Sequence, residues 1–140
     1  MKLEIMRRTD IALQALRLLE RGGGLIQAAD LATGVGSTAQ FIPQVLTPLV
    51  RTGWITSEPG PRGGYSLATD LGKRTVLDLI ELIEGPTDDG RCALEGTDCS
   101  PGSPCSLHDA WTWARAALIE RLGATPISPQ PTTLARKASK

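Results

Sequence analysis

"STAQFIPQVLTPLVRTGWITSEPGPRGGYSLA", residues 37–68, decides the fold. Ile42, Val45, Leu46, Leu49 and Val50 recur at i, i+3, i+4, i+7 and i+8, which marks one buried helix face. Ser37 or Thr38 supplies the N-cap and Gly53 the stop, so the spacing predicts a helix within 37–54. Pro43 and Pro48 weigh against an unbroken helix. Each removes a backbone donor and crowds the carbonyl four residues back. Either the helix bends there, or it starts late with Pro43 in its first turn. Beyond Gly53, two short β-prone runs at 54–57 and 65–67 flank a turn rich in Pro and Gly, which predicts a hairpin with a long tip.

Upstream, "IQAADLATGVG" (26–36) reads as a short helix with Ala28, Leu31 and Ala32 on one face, broken by Gly34 and Gly36. "TDIALQALRLLERGGG" (9–24) reads as a longer one, capped by Thr9 or Asp10. Its stripe is Ile11, Ala12, Ala15, Leu16, Leu18 and Leu19, and three glycines end it. Downstream, "TVLDLIELIEG" (75–85) is a helix with a Thr75–Asp78 capping box. "SLHDAWTWARAALIERLG" (106–123) is another, with Ser106 and Asp109 as a second capping box and Leu107, Trp111, Ala114, Leu118 and Leu122 on one face. Residues 86–104 have almost no periodicity. Residues 124–140, with three prolines and a basic end, read as a loose tail.

The predicted fold is therefore mainly α with a small β-hairpin wing. Helix, short helix, helix, hairpin is the order of a winged helix-turn-helix. In that arrangement the short helix braces the third, whose N-terminal half enters the major groove, and the hairpin tip reaches the backbone or minor groove. Residues 1–85 form the DNA-binding domain, 86–105 a cysteine-rich loop, 106–123 a further long helix and 124–140 a flexible tail.

At 140 residues the chain is one domain, or one with an appendage; 41% hydrophobic but only 4% aromatic, it must fill its core with Leu, Ile, Val and Ala. No run reaches the ~18–20 apolar residues of a membrane span. The start "MKLEIMRRTD" is too interrupted by charge for a signal peptide. The expectation is a cytoplasmic protein. Net charge is zero, yet residues 1–74 hold nine Lys and Arg against six Asp and Glu, so a polyanion would favour that half.

On the third helix, Thr38, Gln40, Gln44 and Thr47 lie opposite the apolar face. Gln can pair with an adenine edge, and Thr can touch a thymine methyl or a phosphate. Arg7, Arg8, Arg51 and Arg62 are the phosphate candidates, with Arg62 set among the glycines of "GPRGGY". So few charges favour a dimer, which doubles the contacts.

All three cysteines and the only histidine fall in "RCALEGTDCSPGSPCSLHD" (91–109), spaced C-x6-C-x5-C-x2-H. An odd cysteine count argues against a closed disulfide framework. Three uses remain. Cys3His is a common zinc set, but zinc ligands usually come in tight C-x2–4-C pairs, absent here. An iron–sulfur cluster is larger and tolerates wide, irregular spacing. A thiol switch needs no metal at all. His108 sits at a helix start, where the dipole favours neutral imidazole and makes it a fourth ligand for Cys92, Cys99 and Cys105. Asp10, approaching from a partner subunit, is the rival fourth ligand. A redox enzyme or electron carrier is disfavoured, because nothing else resembles a substrate site.

With "TDIALQAL", "FIPQVLTPLVRTGWI", "GPRGGYSL", "VLDLIELIEGP" and the cysteine loop leading into "LHDAW", residues 1–122 resemble the Rrf2 family, the IscR- and NsrR-like iron–sulfur transcription regulators. The resemblance implies a homodimer held by a long C-terminal dimerisation helix, here 106–122. It implies binding to a palindromic operator on double-stranded DNA, and transcription that responds when the cluster is lost, oxidised or nitrosylated. It also implies Cys92, Cys99 and Cys105 as ligands of a cluster (2Fe-2S or 4Fe-4S), with His108 resembling the IscR-like fourth ligand and Asp10 the NsrR-like one. Two positions depart from the IscR-like pattern. Pro43 stands where an acidic residue reads the operator, and Pro59 where the wing carries an arginine, so a different operator is implied. The expected protein is no enzyme but a repressor sensing redox state, nitric oxide or iron–sulfur supply.

Overall fold

The computed structural model describes residues 1–94, 99 and 102–128. Among these, α1 spans Arg7–Gly22, α2 Ala28–Val35, α3 Phe41–Arg51, β1 Ile55–Glu58, β2 Gly64–Leu67, α4 Val76–Glu84 and α5 His108–Gly123. The predicted order holds throughout. No helix of the described residues is long and apolar enough to cross a membrane.

The proline question in α3 resolves as a late start. Pro43 sits in the first turn, where a missing N–H costs nothing. The turn before it is closed by Thr38, whose Oγ1 accepts from the Phe41 N–H at 3.2 Å and whose carbonyl accepts from Ile42 at 3.3 Å. Thr38 therefore caps one turn ahead of the helix proper. Pro48 stays inside α3 and removes a donor from the Gln44 carbonyl; Gln44 is exposed, so water can serve it. Ile42, Val45, Leu46 and Leu49 are fully buried against Ile11, Leu16 and Leu19 of α1 and Leu31 of α2.

The hairpin pairs Ile55 with Leu67 through to Glu58 with Gly64. A third strand edge joins it: Ile26 and Tyr65 exchange both backbone hydrogen bonds at 2.8 Å. Gly64, at φ 150°, permits this approach, because a Cβ there would overlap the Ile26 carbonyl. Gln27 Nε2 donates to the Pro61 carbonyl at 2.7 Å and fixes the hairpin tip to the start of α2.

Three boundary expectations are corrected. α1 begins at Arg7, not at 9, and no side chain caps it. Thr9 is 1% exposed and spends its hydroxyl on the Glu84 carboxylate, which also accepts from the Met6 N–H at 3.1 Å. The Ser106–Asp109 box is absent: α5 starts at His108 without a side-chain cap. The Thr75–Asp78 box does form, at 3.0 and 2.9 Å.

The head of the expected loose tail is part of the core. Ile127 is 0% exposed, its N–H bonds the Arg74 carbonyl at 2.8 Å, and Val76 N–H bonds Thr125 O at 2.8 Å. Arg17 reaches the Ile127 carbonyl from α1 at 3.3 Å. Two prolines and a turn hid one buried isoleucine. The remainder of that segment, 129–140, lies outside the described residues.

α5 buries none of its residues within one chain. Trp111, Arg115, Ile119 and Leu122 are half-buried, while Ala114 and Leu118 of the predicted stripe are exposed, as is Trp113.

Candidate functional site

The cysteine loop returns to the start of α5. Sγ of Cys92 and Cys105 lie 3.4 Å apart, and the three sulfurs are within 4.8 Å of one another. His108 Nδ1 is 3.5 Å from Cys99 Sγ. Backbone donors support the group: Cys105 N–H points at Cys99 Sγ, and Leu94 N–H at Cys92 Sγ, each at 3.4 Å. All three thiols are half-buried and unpaired by disulfides.

The thiols differ in acidity. The Cys92 thiol's hydrogen bond, then the Leu107 N–H, draws Cys105 below its ordinary value. At Cys92 the Leu94 N–H pulls downward, but the contact with Cys105, desolvation and Cys99 outweigh it, leaving that thiol raised. The hydrogen bond between the two thiols thus favours ionisation at Cys105 over Cys92.

A cavity of about 280 Å³ opens beside the sulfurs, lined by Cys92, Cys99, Cys105, His108, Trp111 and Arg115. Arg115 spans from α5 to the loop. Its Nη1 is 3.5 Å from Asp88 Oδ1, and its Nη2 donates to the Arg91 carbonyl at 3.3 Å. Three soft thiols and an imidazole beside open space form a donor set suited to a thiophilic metal or cluster. Asp10 is not a member of this group within one chain. It lies on α1, and its Oδ1 accepts from Gln14 Nε2 at 3.0 Å.

The other expected surface is the outer face of α3. Gln40, Gln44, Thr47 and Arg51 are exposed there. Thr47 donates its hydroxyl to the Pro43 carbonyl at 2.6 Å. Arg7 Nη2 donates to Gly36 O at 3.3 Å, so its guanidinium lies against the turn between α2 and α3. Arg8 is exposed on the first turn of α1, and Arg62 is exposed at the hairpin tip.

Two residues that hold these parts together escaped the sequence reading, Arg115 and Gln27. A guanidinium reaching a loop carbonyl, or an amide reaching a turn carbonyl, has no local sequence signature.

A family model described as Rrf2, iron-dependent transcriptional regulator, matches residues 5–128. The chain is 30% identical over 93 residues to the HTH-type transcriptional regulators IscR of Cronobacter sakazakii and Citrobacter koseri. That alignment covers 66% of this chain and 57% or 56% of theirs, so it spans a little over half the length of those relatives. Among solved structures, the global cysteine regulator CymR of B. subtilis superposes with a TM-score of 0.71 at 24% identity, covering 91% of this chain and 95% of that one. A Listeria innocua transcriptional regulator gives 0.71 at 25% identity, with 100% and 90% covered. T. potens IscR gives 0.66 at 20%, with 97% and 88% covered.

Proposed function

The chain belongs to the Rrf2 family of transcription regulators, and from that premise we propose that it binds a palindromic operator as a homodimer and represses transcription under the control of an iron–sulfur cluster held by Cys92, Cys99, Cys105 and His108. Its relatives are regulators, and the chain is a regulator rather than an enzyme.

The observation that carries the sensing is the convergence of three thiols and one imidazole on a single cavity at the start of α5. Bound there, a cluster supplies a centre that oxidation, nitric oxide or iron shortage can alter. The rest is work for the chain itself. Arg91 and Arg115 line the cavity and offset the negative charge of thiolate ligation. Arg115 ties residues 88–91 to α5, so a rearranged loop pulls on that helix. The unburied apolar side chains of α5, Trp113 and Leu118 among them, suit a helix that packs against a second copy. A tilt of α5 then changes the separation of two α3 helices, which must match half-sites about 34 Å apart. Asp10 is the competing fourth ligand; it would cross from the second subunit and give up its bond to Gln14.

A second reading, a single zinc ion, is favoured by one set of distances. With Zn–S near 2.3 Å, sulfurs at the corners of a tetrahedron stand about 3.8 Å apart. The Cys92–Cys105 separation of 3.4 Å is close to that.

Anaerobic purification with iron, sulfide and zinc counts separates the readings, run beside operator binding by wild type and Cys99→Ala. Brown protein containing iron and sulfide, with both colour and normal operator affinity lost in Cys99→Ala, is the expected result. Unchanged affinity in matched buffers overturns the sensing role. Colourless protein with one zinc per chain overturns the cluster in favour of the second reading.

A further inference from the structure

The outer face of α3 carries no charge before its last residue. No Asp, Glu, Lys or Arg occurs between Asp30 and Arg51, a span that includes the whole turn and all of α3 except its end. The commonest base-specific contact, Arg or Lys on guanine O6 and N7, has no donor there, and a carboxylate for cytosine N4 is missing too.

What the face does present is two kinds of neutral group. Thr47 commits its hydroxyl proton to the Pro43 carbonyl at 2.6 Å, so it offers no donor, and its γ-methyl is the apolar group it presents. Pro43 lies one turn earlier on the same side, exposed, with an apolar ring and no donor. Together they form a small apolar patch on adjacent turns. Beside it stand Gln40 and Gln44, also one turn apart and exposed. The helical path already runs through Gln40, at φ −72° and ψ −31°, so the two amides are aligned along it.

Thymine's C5 methyl is the apolar feature of the major-groove floor, and adenine N6 with N7 is the donor–acceptor pair that a Gln amide matches. We propose that the half-site under α3 is a run of A·T pairs, with Thr47 and Pro43 against thymine methyls and Gln40 and Gln44 on adenine edges. The proposal rests on the DNA-binding reading above and adds the base composition to it.

The test begins with selection of bound sequences from a random duplex pool by the full-length protein. The expected consensus has A·T pairs at the centre of each half-site. Each contacted thymine is then replaced by uracil, which removes only the methyl. Wild type should bind the uracil duplex about fourfold more weakly per methyl, the value of one buried methyl group. Thr47→Ser keeps the hydroxyl bond and should lose the discrimination against uracil at the thymine facing Thr47 while keeping it at the thymine facing Pro43. A G·C-centred consensus overturns the proposal while leaving DNA binding intact, and so does wild type indifferent to uracil. A pool in which no sequence is enriched over bulk DNA overturns the DNA-binding reading itself.

Discussion

Arg115 of α5 lies 3.5 Å from Asp88 and donates to the Arg91 carbonyl, so one side chain joins the cysteine loop to the last helix. Groups that orient ligands without touching the metal are typically worth about 10–100-fold in metal affinity. Arg115→Ala should release iron to a chelator about tenfold faster than wild type. As the ion pair is partly exposed, its effect on the urea midpoint should be small. Chelation kinetics equal to wild type would remove Arg115 from the site.

In metal-free protein the cysteines should not react alike. Cys105 is the more acidic thiol and Cys92 the less, because the two share a hydrogen bond. Iodoacetamide attacks thiolates, so Cys105 should be modified first, and its rate should level off at a lower pH than that of Cys92. Peptide mapping after short exposures across a pH series reads this directly; equal rates would contradict the asymmetry.

Glu84 accepts from both Thr9 and the Met6 N–H, joining the end of α4 to the start of α1. Glu84→Ala leaves the Thr9 hydroxyl, 1% exposed, without its acceptor. The loss should be about 1–3 kcal/mol in urea unfolding. Glu84→Gln keeps an oxygen in place and should lose less.

Ile127 is fully buried against the core although it follows the last helix. Ile127→Ala should cost about 2–5 kcal/mol, as large-to-small core changes do. A substitution within a true tail would change nothing, so a neutral result in thermal unfolding would contradict the packing.

Arg62, exposed at the hairpin tip, is the expected phosphate contact of the wing. Arg62→Ala should weaken binding to all duplexes alike and flatten the log–log salt dependence by about one unit. A change in preferred sequence with an unchanged salt slope would mean that Arg62 reads bases instead.

The helix-turn-helix and hairpin were legible because their signals are local. The Ile42–Leu49 periodicity, the late start at Pro43 and the Thr75–Asp78 box each lie within about two turns of chain. Apart from the Ser106–Asp109 box, a local signal that does not form, the misreadings were long-range. Thr9 looks like a cap in sequence but answers a carboxylate 75 positions away. Ile127 sits among prolines, and Arg74, whose carbonyl accepts from its N–H, precedes it by 53 positions. On α5 one chain covers only part of the apolar side chains, so Ala114 and Leu118 of the predicted face stay exposed within one chain. The site divides in the same way. The four sulfur and imidazole donors fall within 17 residues and were visible as a cluster, whereas Arg115 enters from a later turn of α5 and was not.

The Ile26–Tyr65 bridge and the Gln27–Pro61 bond lock the hairpin to the base of α2. Tip, brace and reading helix thus behave like a single die cut from one block. On the proposed reading, a signal from the cysteine loop would tilt or displace that die without recutting it. Regulation in such a molecule selects where the stamp falls, while the imprint stays the same.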